Sequence, residues 1–226
     1  MIKLNKLFPE GTHPKSMLFL TAMHKESEIL LKGNAFQERL CAGRLHLYQQ
    51  KNHPIFILET GIGIKGSWHN LKRIIRNIQP SYSINFGICG ALDPEVNPYD
   101  TYLINRVYSA GKMTLSLSED LNRFFSPATL AMKVKDLLTV EKALLNKKDK
   151  IDYFTKYSIP LVDMEGYHFA SIAGELNIPL LILKVVSDTV QDDVKDFVQK
   201  NQQKWQLKLE SSLDLILQVL ADKISA

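Results

Sequence analysis

Short apolar runs rich in branched side chains alternate along this chain with longer segments in which apolar residues recur every three or four positions. The run 180–186, Leu-Leu-Ile-Leu-Lys-Val-Val, is apolar at six of its seven positions, which is typical of a strand buried on both faces. In segment 68–78, by contrast, the apolar residues form a single stripe at helical spacing. Strands that alternate with helices predict an α/β fold, with a mixed, mostly parallel sheet flanked by helices.

The same two patterns predict the order of the elements. We expect strands at 17–22, 43–49, 54–59, 82–86, 102–107 and 180–186, and helices at 27–40, 68–78, 165–176 and 194–220. No shift of composition divides the 226 residues, and one α/β domain commonly has this length. The expected organisation is an N-terminal extension, 1–16, followed by one domain, 17–226.

Composition excludes several classes of protein. Lys and Arg number 28 and Asp and Glu 24, giving a net charge of +4 without a basic block, so nucleic acid is not an expected partner. The longest apolar runs fall far short of the ~20 residues that cross a membrane, and the N-terminus lacks the apolar stretch of a secretory signal. The two cysteines, Cys41 and Cys89, supply neither a disulfide framework nor the spacing of a metal site. We expect a cytoplasmic protein with no membrane segment and no bound metal.

Two glycine clusters follow predicted strands, at the sheet edge where α/β proteins bind ligands. The first, Gly61-Ile-Gly-Ile-Lys-Gly66, has the spacing of a dinucleotide fingerprint, but the next strand ends without the acidic residue that would hold a ribose. A tight turn, in which the backbone comes close to another group, is the favoured interpretation. The second cluster, Gly87-Ile-Cys-Gly-Ala91, either presents backbone N–H groups to a ligand or is only a turn.

Two carboxylates stand at the ends of elements that must be buried. Glu165 begins a helix of small and apolar residues, and Asp188 ends the apolar strand 180–186. A carboxylate buried without a partner has a raised pKa and can stay protonated near neutral pH, as a general acid must. Both residues could equally be caps that stabilise a helix N-terminus. The residues alone leave these two interpretations open.

Six short motifs occur in order along the chain. They are Ala22-Met-x-x-Glu26, Gly61-Ile-Gly63, Asn85-Phe-Gly-Ile-Cys-Gly-Ala-Leu92, Tyr99-Asp100, Val162-Asp-Met-Glu165 and Val186-Ser-Asp188. Their order and spacing resemble the nucleoside phosphorylase/nucleosidase superfamily. The closest pattern is that of the methylthioadenosine/S-adenosylhomocysteine nucleosidases, with futalosine hydrolases among the similar members. The resemblance spans about residues 17–193.

The resemblance implies that the chain is an N-glycosidase that cleaves a purine nucleoside through a ribosyl cation. Asp188, oriented by Ser187, would protonate N7 of the base, and Glu26 would position or deprotonate the attacking water. Glu165 would bind the ribose hydroxyls, with Met164 beneath the sugar. The remaining substrate-binding residues would be Gly87, Ile88 and Gly90 in the second glycine cluster, and Ala143 and Leu144 in segment 139–144. The resemblance implies no metal or organic cofactor, and it implies a homodimer.

Three alternatives remain at this point. A phosphorylase would need cationic and hydroxyl donors for phosphate, and the second glycine cluster contains neither, so water is the favoured acceptor. Phe86 and Ile88 stand where nucleosidases usually carry Thr and Ser. A non-catalytic nucleoside-binding or storage protein therefore remains an alternative. Lys184 stands where an Arg is usual, so the substrate could differ from methylthioadenosine. Segment 108–135 would form the pocket for the substituent at the 5′ end.

Overall fold

The computed structural model describes residues 1–8, 16–64, 66–110, 114–120, 132–192 and 194–225. Within these ranges the strands form one ten-stranded sheet. In chain order they are β1 (Met17–Thr21), β2 (Phe36–Ala42), β3 (Leu45–Gln50), β4 (Ile55–Glu59), β5 (Tyr82–Ala91), β6 (Thr101–Ser109), β7 (Leu115–Ser116), β8 (Lys133–Thr139), β9 (Leu161–Asp163) and β10 (Leu180–Asp188).

Helices pack on both faces of the sheet. They are α1 (Leu4–Leu7), α2 (His24–Leu31), α3 (Trp68–Ile78), α4 (Lys147–Tyr157), α5 (Gly166–Glu175), α6 (Val194–Lys200) and α7 (Gln202–Ser225). None of the described helices is long and apolar enough to cross a membrane.

The sheet consists of two parallel groups of strands that antiparallel pairs join together. Strands β4, β1, β5 and β10 run parallel in that spatial order, as do β6, β8 and β9. Antiparallel pairs join β10 to β6 and β5 to β9, and they add the hairpin β2–β3 beside β4. Because β5 pairs with both β9 and β10, the strands β5, β10, β6, β8 and β9 close into a ring. The predicted mixed α/β fold is confirmed, with more antiparallel pairing than the sequence suggested.

Strand β10 shows how the core divides into two layers. Leu181, Leu183 and Val185 face a cluster built on α7, whereas Ile182 and Val186 face a cluster built on α3 and α5. All nine residues of β10 are buried. Period-two alternation sends successive side chains to opposite faces, so a strand apolar on both faces must lie between two helical layers. The prediction that the segment is buried on both faces is therefore confirmed.

The helix predicted at 68–78 also forms, and it buries Leu71 and Ile75 from its apolar stripe. It ends at Gln79, which has a positive φ of 49°, immediately before Pro80. Proline cannot continue a helix because it lacks the N–H donor. The end of this helix is thus fixed by local sequence.

The helix predicted at 27–40 forms only as far as residue 31, and the prediction is wrong for the rest of the segment. Helix α2 covers His24–Leu31, and the chain then turns through Gly33, at φ 76°, into β2. The Asn34 side chain donates to the carbonyl of Leu30 and accepts from the amide of Leu4. Such side-chain bonds to the backbone compete with helix continuation, and apolar spacing alone did not reveal them.

The single terminal helix predicted at 194–220 is in fact two helices. Helix α6 ends at Lys200, and α7 starts at Gln202, with the Asn201 carbonyl accepting from the amide of Trp205. The first eight residues pack against the same layer: Ile2, Leu4 and Phe8 are buried in the cluster built on α7.

Candidate active site

A cavity of about 550 Å³ opens at the ends of several strands. Its lining comes from the last residues of β5 and β10, from residues that follow β1, β4, β8 and β9, and from α6 and α7. The volume lies within the roughly 300–1,000 Å³ of small-molecule sites. A smaller cavity of about 170 Å³, between α2 and α7, contains none of the predicted site residues. Nine of those residues line the larger cavity: Glu26, Ile88, Gly90, Ala143, Leu144, Met164, Glu165, Ser187 and Asp188.

Glu26 is anchored entirely by backbone donors. It lies in the first turn of α2, and one carboxylate oxygen, Oε2, accepts the amides of Ala22 and Met23 at 3.0 and 2.9 Å. The other, Oε1, accepts the amide of Ile88 at 2.9 Å. Burial raises the pKa of Glu26, while Lys184 and the three amides act in the opposite direction. The carboxylate is therefore fixed in position in the wall of the cavity.

Gly87 is the predicted site residue that does not line the cavity, because the Glu26 side chain occupies the space beside it. A Cβ at position 87 would lie 2.3 Å from Glu26 Oε1 and 2.8 Å from its carboxyl carbon. Only glycine permits this close approach. Strand β5 continues to Ala91, so the second glycine cluster belongs to a strand and is not merely a turn.

Glu165 is held by the turn that follows β4. It is the residue before α5, and its Oε1 accepts the amide of Gly63 at 2.7 Å. Gly63 has a φ of 70°, a conformation that favours glycine, so the first glycine cluster is the tight turn that the sequence predicts. Burial, followed by the neighbouring Asp163 carboxylate, raises the pKa of Glu165 to about 7.

A buried lysine lies among the carboxylates. Lys184 Nζ is 3.0 Å from Asp163 Oδ2, and Asp163 also accepts from the Thr139 hydroxyl at 2.7 Å. Burial alone would lower the pKa of Lys184, but Asp163, Glu165 and Glu26 together raise it. Lys184 therefore stays charged, and it offsets part of the negative charge of the site.

Asp188 is paired, contrary to the expectation of a lone buried carboxylate. Lys150, on α4, places Nζ 2.6 Å from Asp188 Oδ2, and both side chains are almost fully buried, at 1% and 6% exposure. The Ser187 hydroxyl donates to Asp188 Oδ1 at 2.6 Å. Gly90 leaves room for this arrangement, since a Cβ there would lie 3.1 Å from Asp188 Oδ2. The helix-cap alternative for Asp188 is therefore wrong: the residue is the last of β10, and its carboxylate bonds these two side chains.

The rest of the wall is mostly apolar. Met164, Ala143 and Leu144 contribute side chains from the loops after β9 and β8, and Val198 and Trp205 contribute from the terminal helices. Cys89 also borders the cavity, and burial raises the pKa of its thiol well above the usual range. A neutral buried thiol is a poor nucleophile.

Two cations are found among the described residues that line the cavity, Lys25 and Lys150. Lys150 pairs with Asp188, and Lys25 Nζ is 3.5 Å from Glu28 Oε2. The arrangement offers carboxylates on two sides of an apolar space, which suits proton transfer and stabilisation of a positively charged intermediate.

Several of these residues escaped the sequence analysis. Lys150 lies in a segment with Lys147 and Lys148 that resembles an exposed charged helix. Asp163 lies in the motif 162–165 and Thr139 in segment 139–144, but the sequence predicted no role for either residue. The contribution of α6 and α7 to the cavity was not predicted either. The Asp-x-Glu spacing at 163–165 was the one signal that could have identified Asp163. Segment 108–135, expected to form the 5′ pocket, is described only at 108–110, 114–120 and 132–135.

The fold and the cavity define an α/β protein with a carboxylate-rich small-molecule site at the strand ends. Residues 18–136 and 130–220 match the model of the Phosphorylase superfamily. The chain belongs to this family, as the motifs predicted.

Within the family, the chain is similar to both hydrolases and phosphorylases. The 5′-methylthioadenosine/S-adenosylhomocysteine nucleosidase of Buchnera aphidicola is 24% identical over 190 residues, which cover 74% of this chain and 82% of that protein. A DeoD-type purine nucleoside phosphorylase of Buchnera aphidicola is 23% identical over 154 residues, 62% of this chain and 65% of the relative. The solved structure of futalosine hydrolase from Helicobacter pylori has a TM-score of 0.77 at 18% identity, covering 89% of this chain and 97% of the other. This likeness confirms the predicted fold.

Proposed function

We propose that the protein is a purine nucleosidase that hydrolyses the N-glycosidic bond of a 5′-modified adenosine or a related nucleoside. Methylthioadenosine, adenosylhomocysteine and futalosine are the candidate substrates, in keeping with the names of its relatives. The observation that carries the proposal is the convergence of Glu26, Glu165 and Asp188, all buried, on one cavity.

Asp188 is the proposed general acid. It would pass a proton to N7 of the purine as the glycosidic bond breaks, so that the base leaves as a neutral molecule. Ser187 holds one oxygen of the carboxyl group and Lys150 the other. The ion pair with Lys150 corresponds to the state after proton transfer, in which Lys150 stabilises the carboxylate that remains.

Glu165 is the proposed ribose ligand. Its Oε1 already accepts the Gly63 amide, and the remaining carboxylate lone pairs are available to the 2′- and 3′-hydroxyls. Its negative charge also stabilises the ribosyl cation that develops as the bond breaks, as a carboxylate does in glycoside hydrolysis. Met164, adjacent in the chain and lining the same cavity, would pack beneath the sugar.

Glu26 is the proposed water-positioning residue. Three backbone amides hold its two oxygens, so little reorientation is needed when water attacks the cation. Gly87 supports this role by leaving space for the carboxylate. Ile88, Gly90, Ala143 and Leu144 form part of the cavity wall and would contact the substrate there.

Hydrolysis is favoured over phosphorolysis by the charges of the cavity. A phosphate dianion would face Glu26 and Glu165, while the two lining cations in the described part of the chain are each paired with a carboxylate. Phe86 is buried in the core and takes no place in the cavity, and Ile88 contributes its amide to Glu26, so neither departure removes a proposed catalytic group. This argues against the non-catalytic alternative.

Several broader features are proposed on family resemblance. We expect a homodimer in the cytoplasm, with residues 17–226 as the catalytic domain and 1–16 as an extension. No metal or organic cofactor is required by the proposed chemistry.

The proposal is tested by incubating the protein with methylthioadenosine, adenosylhomocysteine, futalosine and inosine, with and without phosphate, and following free base. We expect base release from at least one 5′-modified nucleoside at a rate independent of phosphate. Release that requires phosphate would establish the phosphorylase alternative. Binding without release from any of them would establish the binding protein. Glu26→Gln should abolish release, and Glu95→Gln, at an exposed position outside the cavity, is the matched control.

A further inference from the structure

A group of metal-ligand side chains lies outside the cavity, on the hairpin formed by β2 and β3. The thiol of Cys41, the imidazole of His46 and the carboxylate of Glu38 place one ligand atom each within 4.8 Å of one another. None of the three lines the catalytic cavity. Cys41 and Glu38 are exposed and His46 is half-buried, so an ion could reach them from solvent.

A β-bulge brings these side chains to the same face of the hairpin. The register pairs Glu38 with Tyr48, Leu40 with Leu47, and Cys41 with His46, and Arg39 is the extra residue. Without the bulge, residues 38 and 41 would point to opposite faces, because side chains alternate along a strand. The extra residue puts Glu38 two pairs from Cys41, on its side of the sheet, with His46 directly across. Sequence spacing alone could not reveal this arrangement.

The separations are close to those of a metal site. His46 Nδ1 and Glu38 Oε1 are 2.8 Å apart and share a hydrogen bond. Ligand atoms of a tetrahedral zinc ion, at bond lengths of about 2.0–2.3 Å, lie roughly 3.3–3.6 Å apart. Small rotations of exposed side chains would therefore convert the hydrogen-bonded group into three ligands. The stacking of His46 on Tyr48, with ring planes 13° apart, holds the imidazole in place.

The neighbouring arginine bonds a different residue. Arg39 donates its Nε–H to Gln49 Oε1 at 3.1 Å. Among the described residues, the ion-pair partner of Glu38 is His46, so both prospective ligands already lie in contact.

We infer that Glu38, Cys41 and His46 form a zinc-binding site on the β2–β3 hairpin, with water as the fourth ligand. Thiolate, imidazole and carboxylate together suit a borderline-soft ion such as Zn²⁺ rather than Mg²⁺ or Ca²⁺, which prefer oxygen ligands alone. Binding releases the thiol proton of Cys41 to solvent, and the proton of His46 moves from Nδ1 to Nε2, which leaves Nδ1 free to bind the metal. Since β2 is the last strand of the sheet, the ion would link this edge strand to β3.

The test uses Co²⁺, added to the full-length protein, as a spectroscopic substitute for zinc. We expect one equivalent to bind, with a thiolate-to-cobalt charge-transfer band that Zn²⁺ removes and excess Mg²⁺ does not. Cys41→Ser should abolish the band. Glu38→Gln and His46→Gln should each weaken binding at least tenfold. His69→Gln, at an exposed position on α3, is the control and should bind as the natural sequence does.

Two results would overturn the inference. One is the absence of a thiolate band with Co²⁺ in the natural sequence. The other is a band that keeps its strength and affinity in both Glu38→Gln and His46→Gln, since the exposed thiol alone would then account for it. Zinc should also raise the Tm of the natural sequence but not of Cys41→Ser. All these side chains are on the surface, so circular dichroism can verify that each variant is folded.

Discussion

Replacing Glu165 with Gln should stabilise the protein at alkaline pH while it removes activity. The pKa of Glu165 is raised from an ordinary 4.5 to about 7 by burial and by Asp163. The folded protein therefore binds more protons than the unfolded chain between these values. The contribution of Glu165 to the free energy of unfolding is fully present below about pH 4.5 and is lost as the pH rises through about 7. Glutamine carries no charge and avoids this loss.

The size of the effect follows from the same pKa difference. At about 1.4 kcal/mol per pKa unit, the ionised Glu165 costs about 3 kcal/mol above pH 7. This figure already includes the attraction of Lys184, which lowers the pKa of Glu165, and Lys184 keeps Asp163 at 3.0 Å in the variant. Glutamine retains an oxygen that can accept the Gly63 amide, and this contact should survive.

The assay is urea denaturation of both proteins, followed by the fluorescence of Trp68 and Trp205. The free energies of unfolding should agree near about pH 5 and diverge towards about pH 8, where Glu165→Gln is the more stable protein. Its kcat/KM should nevertheless fall about 100-fold or more, because the neutral amide stabilises the ribosyl cation poorly. Equal pH dependence in the two proteins, or a less stable variant at about pH 8, would refute the reasoning. Glu95→Gln is the exposed control.

Three further substitutions test the rest of the site. Asp188→Asn should reduce kcat by about 10²–10⁴ because an amide cannot protonate N7, and near-normal turnover of a purine substrate would remove it as the acid. Lys150→Met leaves a buried carboxylate unpaired and should cost about 3–5 kcal/mol of stability in denaturation assays, whereas the exposed Lys148→Met should cost little. Gly87→Ala should lower kcat/KM at least about 100-fold by displacing Glu26. Its control is Gly174→Ala, at an open helical position. Equal activity in the two alanine variants would contradict the role assigned to Gly87.

The parts of the fold that could be predicted are those fixed by local pattern. The run 180–186 is apolar on both faces, so its burial between two layers follows from the residues alone. The helix at 68–78 has a clear stripe and a proline after its end. The helix prediction for 27–40 failed because the apolar spacing continues past Gly33 and Asn34. Asn34 helps to end the helix through contacts with residues 2 and 4, which are distant in the sequence.

The candidate site shows the same division between local and distant information. Asp188 and Glu165 could be identified because one ends an apolar strand and the other begins an apolar helix, although two interpretations of each remained. Glu26 came only from family resemblance, because the amide of Ile88 that anchors it is 62 residues away in the chain. Lys150 was missed because no local pattern distinguishes a buried lysine from its exposed neighbours on the same helix.

The most direct test of the central claim is the identity of the sugar released from methylthioadenosine in excess phosphate. Mass spectrometry of the products distinguishes free methylthioribose from its 1-phosphate. Hydrolysis, with Glu26 positioning water and Asp188 protonating the base, predicts adenine and free methylthioribose at the same rate with or without phosphate. Accumulation of the 1-phosphate, with adenine release that stops when phosphate is removed, would contradict it.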